Sequence, residues 1–311
     1  MSEDNKLTVN LYRDGSIESS HEVNLYSNKK QYDDYFFPRS SVKPMQAIPL
    51  LLEASNQNIE FTSEEIALFA ASHSGQVVHI ELLRETAKKF QVDLDNIICG
   101  PQRPFHDETA DNLLLIGEKY TKLHNNCSGK HLSMLIFSKL LSVDSNNYFE
   151  LIHKTQEITK HYFIEIFESE DIGFGIDGCG LPAINLNVTN FLNSIKFMQK
   201  TRSAESWNKV FQAYLAHPEI IGGENRTDTN IIINSERKLL AKSGAEGVLF
   251  VTDNSESFIF NCTDGSKRGV DLAASYFLYS NGWINKKPFE YLDNIYTSNR
   301  QNTRAVEIEV V

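Results

Sequence analysis

Residues 36–46 read FFPRSSVKPMQ, and the fold turns on what Ser40 and Lys43 do there. Two serines follow an arginine, a lysine comes three places after the first serine, and prolines flank the group. Residues three apart share a helix face, so a Ser40 hydroxyl and a Lys43 amine can meet at a helix start. Pro44 is compatible with that, because the N–H groups of a first turn have no intrahelical partner to lose. Pro49 calls for a kink or a short first helix. A serine is a weak nucleophile until a base takes its proton, and a lysine serves where burial or a nearby cation lowers its pKa. Taken alone, the same residues read more readily as an N-cap, worth about 1 kcal/mol, beside a solvated lysine.

The rest of the chain bounds the choice. It has 311 residues, 41% hydrophobic and 23% charged, enough for a substantial core in one large domain or two lobes. The formal net charge of -11 disfavours nucleic acid and anionic membranes as partners. No apolar run approaches the ~20 residues that span a bilayer. MSEDNKLTVN, at the N-terminus, has neither the cationic start nor the apolar run of a secretory signal, so a cytoplasmic protein is expected. Cys99, Cys127, Cys179 and Cys262 form no CxxC pair and are expected as reduced thiols.

Asp14-Gly15 between two alternating runs predicts an N-terminal β-hairpin. Helical spacing follows in VVHIELLRETAKKF, with Ile80, Leu83, Ala87 and Phe90 on one face, and in KHLSMLIFSKLL. Strand-like stretches return at 183–188, 247–252 and 257–262, a helix at 270–278, and an alternating strand at the end. The economical arrangement is an α+β chain with an antiparallel sheet built from both chain ends and a helix-rich middle. That is a single catalytic domain with two lobes, the sheet lobe at about 1–38 and 240–311 and the helix-rich lobe at about 39–239. A site is expected in the cleft between them.

Two further stretches change the weight of Ser40 and Lys43. AASHSGQ (70–76) puts Ser72 and Ser74 in a small-residue turn between helices, and AKSGAEG (241–247) puts Lys242-Ser243-Gly244 just ahead of the strand GVLFVT. SxxK, a serine turn and Lys-Ser-Gly, in that order, form the three-part pattern of serine hydrolases of the penicillin-binding and β-lactamase kind. LHNNCSGKHLSML (123–135) places Cys127, Lys130 and His131 at the mouth of a buried helix, where a thiol beside a lysine becomes a thiolate. GIDGCGLP (175–182) holds Asp177 and Cys179 in a glycine turn before a strand. There Asp177 reads as a backbone cap and Cys179 as a packed side chain. Spacing alone supports no metal site, since the nine histidines are scattered.

Together RSSVKPMQ, ASHSG, HNNCSGKH, DGCGLP and AKSGAEG resemble the Rhizobium-type L-asparaginases, the asparaginase II family, from the hairpin nearly to the last strand. The resemblance implies a fold like the serine β-lactamases and glutaminases, hydrolysis of L-asparagine to L-aspartate and ammonia, and a homodimer. It implies two serine–lysine tandems, Ser40 with Lys43 and Ser72 with Lys242. Arg39 and Asn125 fall in motifs that hold the substrate's charged ends, with His131 and Asp177 in the same neighbourhood. Members can also bind zinc, through residues matching Cys127 and Lys130. The family's other zinc cysteine belongs to an Arg-x-Cys-Thr motif, and here Asp228 stands in that place. An oxygen ligand binds zinc less selectively than sulfur, so the departure leaves Asp228 either as a third ligand or as a partner of Lys130 with no metal. Gln76 stands where the family often has glutamate. A penicillin-recognising or glutaminase-type hydrolase, and a non-catalytic small-ligand sensor on the same fold, are the alternatives.

Overall fold

Asp14 and Gly15 both take positive φ, 48° and 72°, the conformation of a type I′ turn. They fold strand β1 (Lys6–Arg13) back on β2 (Ser16–Ser27), the expected hairpin. In the computed structural model, which describes residues 5–311 without the side chains of Phe289, Asp293 and Asn294, this hairpin is the middle of a larger sheet. Two short strand groups complete the count: β3 (Tyr35–Phe36), β4 (Gly173–Ile176) and β5 (Pro182–Asn187), then β6 (Leu240–Gly244), β7 (Val248–Thr252), β8 (Ser257–Cys262) and β9 (Glu307–Val310). The main sheet runs β6-β7-β8-β2-β1-β9, antiparallel throughout. Register sets Val23 opposite Cys262 and Leu25 opposite Phe260, so both chain ends build one sheet, as expected. The first four residues of the expected sheet lobe lie outside the described residues.

Two features differ from the sequence-based expectation. Lys242-Ser243-Gly244 lies just ahead of the strand β7, as expected, but is itself part of a strand, because Leu240–Gly244 pairs with β7 over its whole length. A second antiparallel sheet, β3-β5-β4, was not foreseen. β3 has two residues and β4 reads GFGI, too short and too glycine-rich for an alternating signal.

Helices α1 (Lys43–Gln46) and α2 (Ile48–Asn56) divide at Ala47, with Pro49 in the first turn of α2, where its missing N–H costs nothing. Helix α3 (Ser63–Phe69) starts on a reciprocal Thr62–Glu65 cap. The loop 70–76 leads from α3 into α4 (Val77–Phe90), whose Ile80, Leu83 and Ala87 are buried. Beyond α5 (Asp107–Leu115), helix α6 (Ser128–Leu140) is buried along nearly its whole length. It crosses α3 on Gly129: a Cβ there would sit 2.3 Å from the Leu68 carbonyl oxygen.

Phe191, on the helix Val188–Met198, ties the two sheets together. Its ring centroid lies 5.5 Å from that of Phe36 on β3, 5.2 Å from Phe250 on β7 and 5.9 Å from Phe167. Fully burying such a side chain contributes about 1.5–3 kcal/mol. Among the described residues, no helix is long and apolar enough to cross a membrane.

Candidate active site

Arg39–Val42 form one 3-10 turn, entered through Arg39 at φ 51°. A left-handed backbone is uncommon for arginine and is a form of strain that collects at functional sites. Lys43 opens α1 and is 4% exposed. Its Nζ donates to the Ala71 carbonyl at 2.7 Å, to Ser72 Oγ at 3.1 Å and reaches Cys127 Sγ at 3.3 Å. A Ser40–Lys43 hydrogen bond is not made. The lysine stem runs inward to the 70–76 loop, while the short Ser40 side chain stays half-buried and finds no hydrogen-bond partner among the described residues.

Ser72 is 3% exposed and its N–H donates to the Ile221 carbonyl. Its hydroxyl meets Lys43, not Lys242, so the expected pairing of the second tandem is not the one seen. Lys242, with no exposed surface, donates to the Ser243 carbonyl at 2.7 Å and lies 3.6 Å from Asp228. Burial pushes Lys242 down to about 7; Asp228 opposes that, and Lys43 and Arg226 add to it. Burial would raise the Asp228 carboxyl, but Lys242 and Arg226 outweigh it and hold it below the ordinary value. Asp228 also accepts the Ser243 N–H at 3.2 Å, and its Oδ1 has no partner. Asp228 therefore pairs with Lys242 and not with Lys130, because the helix Thr227–Asn234 presents it to β6.

The thiol facing Cys127 is Cys179. Cys127, at the N-cap of α6, is lowered to about 6 by the hydrogen bond from Cys179, against its own burial and with help from Lys43. Cys179 is raised by the same contact and by burial. Of the two, Cys127 is the one whose surroundings, Lys43 and the helix N-terminus, favour the thiolate. Lys130 is 1% exposed; burial and then Lys43 hold its pKa well below the ordinary lysine value. Its Nζ has one long bond, to the Gln46 carbonyl at 3.3 Å. Two buried sulfurs and an amine whose burial disfavours its charge suit zinc, a borderline-soft cation, so Cys127, Cys179 and Lys130 fit the group, whereas Asp228 is committed to Lys242. No spacing signal ties position 127 to 179, and sequence reasoning left Cys179 out.

Among the described residues, the one set of three His, Cys, Asp or Glu side chains within ligand distance lies elsewhere, at His21, Cys262 and Asp264. Arg268 donates to His21 Nε2 at 3.0 and 3.2 Å, which leaves the ring proton on Nδ1, bonded to Asp264 at 2.7 Å. That cluster is filled by its own hydrogen bonds.

Arg39 and Asp177 meet at 2.7 Å, each about four-fifths buried, and Arg39 Nε is unpartnered. Asn125 is spent on structure: its amide donates to the Cys99 and Gly100 carbonyls and accepts the Cys127 N–H. His131 has no exposed surface, bonds Tyr148 through Nδ1 at 2.5 Å, and is pushed down to about 3 by burial and by Lys43 and Lys130. Neither side chain reaches open space. Gln76 accepts the Glu224 N–H at 3.0 Å, a bond that a glutamate would also make.

A recess of about 20 Å³ is bordered by Ser40, Lys43, Lys130, Asp177 and Cys179. Arg39 and Ala183 also line a cleft of about 630 Å³. A serine hydroxyl, an arginine, two lysine amines and a carboxylate bordering the recess are groups that can take the charged ends of a zwitterion and support acyl transfer. The L-asparaginase II family matches the chain over residues 9–311. A comparison with curated proteins finds no match.

Proposed function

The chain belongs to the L-asparaginase II family, an asparaginase-type amidohydrolase, and from that premise we propose that it hydrolyses L-asparagine through a serine acyl-enzyme. Ser40 is the nucleophile, because it is the hydroxyl that borders the recess while Ser72 is buried behind Lys43. Lys43 takes the Ser40 proton as oxygen attacks the side-chain amide carbon, and returns it to nitrogen as ammonia leaves. The aspartyl ester is then cut by water, whose proton passes through Lys43 to the departing Ser40 oxygen and whose hydroxyl ends in the released carboxylate. Such general-base help is worth about 10²–10⁴-fold. Ser72 orients Lys43 through the hydrogen bond between them. Arg39 and Asp177 hold the substrate's carboxylate and ammonium in place of each other.

The observation that supports this most is the Lys43–Ser72 hydrogen bond in the wall of the recess that Ser40 borders. The two-ended sheet and the β6 Lys-Ser-Gly favour assigning the fold to the serine β-lactamase-like class, with two lobes and the site between them. Zinc, when bound, would sit on Cys127, Cys179 and Lys130 and polarise a carbonyl oxygen. The test is ammonia release from L-asparagine by purified protein, with added zinc and with chelator. Release is expected; none in either condition, from folded protein, sinks the proposal and favours the sensor.

A further inference from the structure

Two spaces of very different size share Arg39 in their walls. The inner recess, at about 20 Å³, has room for about one water-sized group. The outer cleft, about 630 Å³, falls in the range of roughly 300–1,000 Å³ that encloses a drug-sized ligand. A single amino acid anchored at the junction would leave most of that cleft unused.

We propose that the protein also removes the side-chain amide from short peptides whose C-terminal residue is asparagine, the preceding residue occupying the outer cleft. The inference rests on the amidohydrolase reading above and concerns what else the same site admits. Arg39 and Ala183 border both spaces. The guanidinium's fork suits a carboxylate, and its Nε is buried without a partner. A free α-carboxylate seated there fixes one end of the substrate. The side-chain amide then points into the recess beside Ser40, and the recess is too small for any substituent on the departing nitrogen. Ammonia is therefore the leaving group. The position left for extension is the α-nitrogen, which as a peptide N–H still donates to Asp177.

The outer wall suits an apolar residue carrying a free ammonium. Tyr35, Phe37 and Ile176 are 51%, 45% and 86% exposed, three large apolar side chains bordering one cleft. Glu246 and Asp264 line it too. Asp264 is engaged by His21 and Cys262, whereas Glu246 is exposed and pairs with no cation among the described residues. A dipeptide such as Phe-Asn meets all of these features: carboxylate on Arg39, amide in the recess, ring against Phe37 and Ile176, ammonium towards Glu246. Chemically nothing new is asked of the site. Ser40 oxygen replaces the amide nitrogen, water replaces the serine, and Phe-Asp and ammonia are the products.

The experiment gives purified protein L-asparagine, Phe-Asn and Asn-Phe in parallel, reading ammonia and the intact peptide acid by mass spectrometry. Phe-Asn should be turned over with kcat/KM within about tenfold of asparagine, and Asn-Phe, whose asparagine carboxylate is tied up, should be inert. The double variant Phe37→Ala, Ile176→Ala removes only exposed or half-exposed side chains. It should cut Phe-Asn turnover about tenfold or more, on the scale of apolar-pocket discrimination, and leave asparagine within about twofold. Phe-Asn inert while asparagine is hydrolysed overturns the inference and leaves the amidohydrolase reading standing. Equal turnover of Asn-Phe, or a variant that treats Phe-Asn like the parent, overturns the placement. Ammonia from none of the three removes both readings.

Discussion

Replacing Asp228 by Asn isolates the buried pair it makes with Lys242. The carboxylate lies 3.6 Å from Nζ and neither side chain is exposed. At an effective dielectric of about 20, that attraction is about 4 kcal/mol. Lys242 sits near 7 in the fold against its ordinary 10.5, so the folded state binds fewer protons than the unfolded one between those values. Stability from this group therefore rises with pH across that window, in both proteins. Below about pH 7 the parent's Lys242 takes its proton within the fold and its contribution levels off. In Asp228→Asn the opposing charge is gone, Lys242 is pushed further down, and stability keeps falling. The excess destabilisation should be smallest near pH 9 and grow by about 1.4 kcal/mol for each pH unit below 7, to a ceiling near 4 kcal/mol. Urea unfolding of both proteins at pH 9, 7, 6 and 5 reads this directly. Parallel curves across that range would refute the electrostatic coupling assigned to the pair.

Phe191→Ala should cost about 3–5 kcal/mol, seen as a lower urea midpoint with an unchanged slope, because it opens a cavity where Phe36, Phe167 and Phe250 converge. A loss under 1 kcal/mol would mean that the ring does not join the two sheets. If zinc is held as proposed, Cys127→Ser and Cys179→Ser should each lose bound zinc, measured by elemental analysis after equilibration and desalting, while Asp228→Asn keeps it. The reverse pattern would return Asp228 to the ligand set.

The sheet was legible because its signals are local and periodic: Asp14-Gly15 names a turn type, and the runs at 248–252 and 257–262 are apolar on short spacings. The remaining sheet was not, since Tyr35–Phe36 and Gly173–Ile176 become strands only by pairing with Pro182–Asn187. At the site, the residues were legible and their pairings were not. Spacing put Ser40 and Lys43 on one helix face, but a lysine has a long enough stem to choose a partner from another element, and it takes Ser72 and Ala71. Asp228 was read through a family metal position, and its neighbour proves to be the Lys242 ammonium brought up by β6. Cys179 faces Cys127 by a crossing of loop on helix that no sequence interval records.

The central claim is that Ser40 carries the acyl group. Quenching the enzyme in acid during turnover of L-asparagine and mapping its peptides by mass spectrometry tests it most directly. The account predicts an aspartyl ester on the peptide at Ser40, and loss of at least about 10⁴-fold in rate for Ser40→Ala with urea unfolding unchanged. An ester on Ser72, or near-parental turnover by Ser40→Ala, would contradict it.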